Sequence, residues 1–155
     1  MGKHSSKLFT LASFLRANQR IVKSGDEYSS YSVFLLNFWK NVFANINEWE
    51  LIDNKQLTKS ALREEYILTL TVTLQALGRL GAYMYSHGTD ISILQKLNTI
   101  DWLRGNPEWQ DRIIDKQGKN INNEDAIIKM CNLIKEKLGI VLSREEEVKE
   151  HEVKR

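Results

Sequence analysis

One cysteine, Cys131, stands among the 155 residues, together with one proline, three histidines and a near-balance of charge. A lone cysteine excludes an intramolecular disulfide and any multi-cysteine zinc or iron–sulfur site. His4, His87 and His151 have no second histidine or carboxylate at metal-ligand spacing, so no metal or cofactor is expected. Gly78 and Gly81 lie inside a helical pattern, where they let a neighbouring helix approach closely; no phosphate-cradling glycine loop is legible. Twenty-two basic residues face twenty acidic ones, a net charge of +2, too little for a surface coated in nucleic-acid-binding charge. The longest apolar stretch, residues 66–84, is interrupted by Gln75 and Arg79 and diluted by three threonines. A span needs about 20 predominantly apolar residues. The first residues carry charges but no continuous apolar core or small-residue cleavage site. A soluble, cytoplasmic protein without a membrane partner is expected.

What is present reads as helix. The hydrophobic fraction is 42% and the charged fraction 27%, which excludes wholesale disorder and suits one globular domain. Leu8, Leu11, Ala12, Leu15 and Val22 recur at helical spacing, with Ser5 or Ser6 available as a cap. A polar break over residues 24–32 precedes a second helix, opened by Ser30 or Ser32 and apolar almost all round from Val33 to Ile46. Residues 68–74 alternate strictly and match a strand. Their neighbours, ALREE and QALGRLGAYM, are good helix sequence, and one helix of about 28 residues is the simpler reading. Thr89 or Asp90 caps a short helix through Leu97. Asn106 and Pro107 open another, carried through Trp109 to Ile114. Asn122 or Asn123 starts a further helix that Gly139 closes. Ser143 and Glu146 match a capping box leading into a charged, fraying tail.

These elements predict an all-α fold: an irregular bundle of about five to seven helices with residues 33–46 and 61–86 as its central pair. Its core is expected to hold Leu35, Phe38, Trp39, Val42, Leu70, Leu74, Leu77 and Leu80. The domain is placed at residues 6–142, followed by a charged helix or tail at 143–155.

No nucleophile–base pair is legible. Cys131 sits among Ile128, Met130 and Leu133 and reads as a buried structural thiol. Glu64 and Glu65 are adjacent, and successive helical residues point about 100° apart, too far to share a proton. A non-enzyme is the expectation. Charge placement says more than net charge, because residues 1–24 hold five basic residues and no acidic one. Arg16, Arg20 and Lys23 align on one helix face, where they form either a DNA-backbone contact or a plain solvated surface. In residues 97–112, Trp102 and Trp109 interleave with Arg104 and Arg112 beside a fixed Asn106-Pro107 turn. Trp102, Arg104 and Trp109 either grip a partner or stack bases, or they fasten the loop onto the bundle.

Five segments carry a resemblance: KLFTLASFLRAN (7–18), NVFANINEWELI (41–52), LREEYILTLTVTLQALGRLG (62–81), LNTIDWLRGNPEWQDRII (97–114) and KLGIVLSREEE (137–147). In collinear order they resemble the C-terminal region of the DndB family, the bacterial DNA sulfur-modification (phosphorothioation) proteins B. The string IDW-x-R-x-NP-x-W is its most specific piece. Family members are longer and bear an Asp-Gly-Gln-His-Arg motif in their N-terminal half. That string is absent here, so any activity tied to it is not carried over, and the resemblance implies a fragment or a separate half. GKNINNEDAII (118–128) departs from the family pattern. The resemblance further implies a regulator of DNA phosphorothioate modification that takes part in DNA binding and transcriptional control. Other sulfur-modification proteins would be its partners and perform the sulfur chemistry. A pure assembly module without DNA contact is the alternative.

Overall fold

A computed structural model describes residues 9–22 and 28–153. Among these, seven α-helices and two 3₁₀ segments follow one another, with no named strand: α1 Leu11–Ile21, α2 Tyr28–Ala44, α3 Asn47–Asp53, α4 Lys59–Glu65, α5 Thr71–His87, the 3₁₀ segments Ile91–Thr99 and Pro107–Trp109, α6 Glu124–Leu138 and α7 Arg144–Val153. The expected all-α bundle is found.

α5 runs through the middle because it is apolar on nearly every side: from Val72 to Gly78 no residue is more than marginally exposed, and Leu80, Gly81 and Met84 are also buried. Its principal neighbours are α1 and α6. The glycines explain how α1 comes so close. A β-carbon at position 78 would stand 2.6 Å from the Ala17 carbonyl oxygen, and one at 81 would meet Ile21 at 2.7 Å and Phe38 at 2.9 Å. Small residues at a crossing let backbones touch, which lies behind the close approach expected of Gly78 and Gly81.

The expected central pair of residues 33–46 and 61–86 needs correction. α2 packs chiefly on the Ile91–Thr99 segment and α3 and meets α5 less extensively, at Gly81 and Tyr85. Val33 and Leu36 on its outer face are 70% and 75% exposed. Its inner face is aromatic: Phe34 meets Tyr85, Trp39 meets Phe14, and Phe43 meets Trp49 at centroid separations of 5.1, 5.1 and 5.6 Å. Phe38, Trp39, Val42, Leu74, Leu77 and Leu80 are in the core as expected, while Leu35 and Leu70 are partly buried.

The single long helix is also corrected. α4 ends at Glu65, and Tyr66 and Leu70 are extended, so the chain breaks before α5 begins. A second segment holds the break open. Ile67 N–H donates to the Trp102 carbonyl at 3.0 Å, Arg104 N–H donates to that of Glu65 at 2.8 Å, and Tyr66 bridges antiparallel to Leu103. Thr73 Oγ1 donates to the Ile67 carbonyl at 2.6 Å and ties the new helix back to it. The alternating stretch therefore divides into a turn, closed by Leu70 N–H to the Ile67 carbonyl at 3.1 Å, and a helix from Thr71.

Helix starts match local sequence closely. Asp90, Asn106 and Asn123 each accept a backbone N–H as caps, at 2.9, 3.1 and 2.8 Å. Gly139 closes α6 at φ 78°. Ser5 and Ser6 lie outside the described residues; Thr10 caps α1 instead, accepting from Ser13 N–H at 3.1 Å. α2 begins at Tyr28, ahead of Ser30 and Ser32. The Asn106-Pro107 start yields one 3₁₀ turn ending at Trp109 rather than a helix to Ile114. The C-terminal segment does not fray at its start. Ser143 and Glu146 form the reciprocal box, at 3.2 and 2.9 Å, and α7 docks on α6 with Glu146 and Glu150 buried.

Candidate functional site

The α1 cations are not equivalent. Arg16 is exposed on the side away from Ala17 and Ile21. Arg20 spans three helices: its Nε donates to Gln75 Oε1 at 2.8 Å, and its two terminal nitrogens donate to both oxygens of Glu124 at 2.9 and 2.8 Å. Gln75 completes the link by donating to the Ser13 carbonyl at 3.0 Å. Hydrogen bonding to Arg20 holds the Glu124 carboxyl below the usual carboxylate range and raises the Arg20 guanidinium. Lys23 lies outside the described residues. Of the expected cations that are described, Arg16 is exposed and Arg20 is engaged as an interhelical fork.

The tryptophan string builds a clasp. Asn106 Nδ2 donates to the Asp101 carbonyl at 3.0 Å while its Oδ1 caps the turn, and Trp109 Nε1 donates to the same carbonyl at 2.9 Å. Trp102 and Trp109 stack at 5.9 Å and 15°, with 1% and 0% of their surface exposed. Neither ring has a face left for a base or a partner, which corrects the stacking role considered for them. Desolvating both rings fixes the loop on the bundle. Asp101 does not pair with Arg104; it accepts the Leu103 N–H at 2.9 Å.

Arg104 is half-buried and donates to Asn120 Oδ1 at 2.5 Å. On one side it borders an open depression of about 640 Å³ over Leu103 and Pro107. Asn120 reaches a second groove, of about 350 Å³, with Arg63 and Asn122 on its walls and the first turn of α5 at its end. Leu70, the N-cap there, supplies no side-chain bond to the turn's amides. Arg63 and Arg104 thus flank one polar surface, reached through Asn120.

Sequence reasoning missed a buried ion-pair layer beneath α7. Arg112 forms a two-pronged pair with Glu150, one prong at 2.8 Å, and also donates to the Lys129 carbonyl at 2.9 Å. Lys135 Nζ lies 2.7 Å from Glu146 Oε1. Burial pushes the Glu146 carboxyl up, but Lys135, the Ser143 amide and Arg79 outweigh it and leave it below the usual range. The available signal was the i, i+4 spacing of Glu146 and Glu150, which puts both on one face of α7.

Cys131 is fully buried and its thiol pushed up to about 12, chiefly by desolvation. His87 stacks on Tyr83 and donates from Nδ1 to the Tyr83 carbonyl at 2.9 Å. His151 is exposed, and His4 lies outside the described residues. Among the described residues no group of three histidine, cysteine or acidic side chains could hold a metal ion. No described helix is long and apolar enough to cross a membrane.

Comparison with known proteins supplies what geometry leaves open. Residues 1–141 match the family DndB, described as DNA-sulfur modification-associated. No curated protein and no solved structure gives a significant match. With nine-tenths of its length covered, the chain belongs to the DndB family and takes part in DNA sulfur modification.

Proposed function

We propose that this DndB-family chain is a non-catalytic helical domain of a regulator of DNA phosphorothioate modification, contributing to DNA binding and transcriptional control. The match over residues 1–141 carries the reading. Two surface features support the DNA contact: exposed Arg16 on α1, and the Arg63–Asn120–Arg104 surface at the start of α5. Phosphate oxygens suit both, since arginine forks and helix-start amides are donors to anions. Engaged Arg20 serves to fix α1, so reversing its charge would damage the fold rather than probe DNA.

Binding to the promoter duplex of the modification genes, measured at several salt concentrations, tests this. Arg16→Glu and Arg104→Glu should each weaken binding to all sequences, and each should reduce the salt slope by about 1. A chain that fails to retain the duplex even at low salt would overturn the DNA reading. The second reading, an assembly module for other sulfur-modification proteins, would then stand. It is favoured by four exposed apolar side chains on α1 and α2: Leu11, Leu15, Val33 and Leu36.

A further inference from the structure

Arg79 on α5 has a guanidinium that the fold does not use fully. Its Nε is shielded from solvent and has no hydrogen-bond partner among the described residues. Its nearest anion is Glu146 Oε1, at 3.4 Å, and that oxygen already accepts from Lys135 at 2.7 Å. The other Glu146 oxygen is taken by the Ser143 amide at 2.9 Å. One carboxylate thus answers two cations, and the surplus positive charge belongs to Arg79, the more exposed of the pair at 33% against 3%. Buried unpaired donors are scarce in native proteins, and an ion or water is one partner that satisfies them.

Beside Arg79 lies a depression of about 220 Å³. Four, seven and eight residues on, Tyr83, Ser86 and His87 fall on the same face of α5 and line it. Tyr83 stiffens the wall, with His87 stacked at 4.0 Å and Lys135 Nζ over its ring at 4.0 Å. Ser86 and His87 are exposed at the rim. Because a carbonyl only accepts, the contact to Tyr83 O leaves His87 Nδ1 protonated and Nε2 free of that bond. Guanidinium, hydroxyl and imidazole line its α5 side, and Lys135 and Glu146 line the rest, the ammonium and carboxylate there being paired with each other.

We propose that this depression between α5 and α6 binds one phosphate group, gripped by Arg79 and Ser86 with His87 at its edge. The group comes from a small phosphate compound or from a nucleic-acid backbone; the site stands apart from the DNA-binding reading and survives its failure. The test is an NMR titration of the full chain with sodium phosphate at constant ionic strength, with acetate and chloride as comparison anions. The Arg79 Nε–H and His87 ring signals are followed. Saturable binding by phosphate over acetate is expected, weakened about tenfold by Arg79→Gln and about threefold by Ser86→Ala. Should Arg79→Gln not fold, the rim substitution Ser86→Ala decides. Shifts that do not saturate, that acetate reproduces, or that persist unchanged in the folded variants would overturn the site. A duplex that displaces phosphate from the wild-type chain identifies the backbone as the source. A duplex that does not displace it identifies a small compound.

Discussion

A methyl group at position 78 would have to share space with the backbone of α1, since the nearest atom is the Ala17 carbonyl oxygen at 2.6 Å and the next is Ala17 Cα at 2.9 Å. Backbone cannot move aside as a side-chain tip can. Alanine is the better helix former by about 1 kcal/mol, so propensity alone would make Gly78→Ala stabilising. Overpacking costs about 1–3 kcal/mol, and here it wins. Gly78→Ala is expected to lower stability in urea unfolding. Gly105→Ala, where nothing lies within 4 Å of the added carbon, should stay within about 0.5 kcal/mol of the parent. Equal behaviour of the two variants would mean that α1 does not rest on α5 at this point. Cys131 illustrates the same scale from the other side: its burial among core residues keeps the thiolate unpopulated near neutral pH, so its role is packing.

At the scale of elements, α7 shows how a charged segment becomes part of a core. Five of its ten residues are glutamates, and its mean hydropathy is low, yet Glu146 and Glu150 are buried because cations wait beneath them. Removing one partner of a buried pair leaves the other uncompensated and costs about 3–5 kcal/mol, whereas replacing both with apolar groups is often neutral. Glu150→Ala should therefore destabilise the chain strongly, and Arg112→Met with Glu150→Leu should recover most of the loss. Chemical denaturation of the two variants measures this. A loss below about 1 kcal/mol for Glu150→Ala, the range of exposed pairs, would show that α7 does not depend on it. The same contrast separates what was legible in the sequence from what was not. The caps at Asp90, Asn106, Asn123 and Ser143 and the stop at Gly139 act within a few residues, and their positions could be read directly. The break at Tyr66–Leu70 is imposed by Trp102 and Leu103, more than thirty residues on, and no local signal contains it. On α1, helical spacing pointed to Leu11, Ala12 and Leu15 as the inward stripe, yet these are exposed like Arg16, and the buried face is that of Ala17 and Ile21. Arg20 lost its freedom to Glu124, 104 residues away, and the tryptophans lost theirs to each other.

Over the whole molecule, ion pairs join parts of the chain that are distant in sequence, and this sets its response to acid. Arg20–Glu124 ties α1 to α6, Lys137–Glu108 ties the tryptophan turn to α6, and Lys149–Asp125 and Lys135–Glu146 tie α7 to it. Hydrogen bonds from Lys137 and from Lys129 and Lys149 hold Glu108 and Asp125 below their ordinary values, as Arg20 does for Glu124. A carboxylate with a depressed folded pKa binds fewer protons in the native than in the unfolded chain. Its contribution is fully present above the unfolded value and is lost as pH falls through the folded one. Glu48, raised by burial, has the opposite sign, but it stands against Glu108, Glu124, Asp125 and Glu146. The melting temperature should accordingly hold near neutral pH and fall once pH drops below about 4.5, where unperturbed carboxyls take up protons. Glu124→Gln should flatten part of that fall, by the equivalent of about 1 kcal/mol or less, because the pair is partly solvated. Since these four pairs converge on α6, acid should release the helices together. Far-ultraviolet circular dichroism and tryptophan fluorescence are then expected to change at one midpoint. A tryptophan signal lost well before the helical one would show that the Trp102–Trp109 clasp opens alone, with α6 still in place.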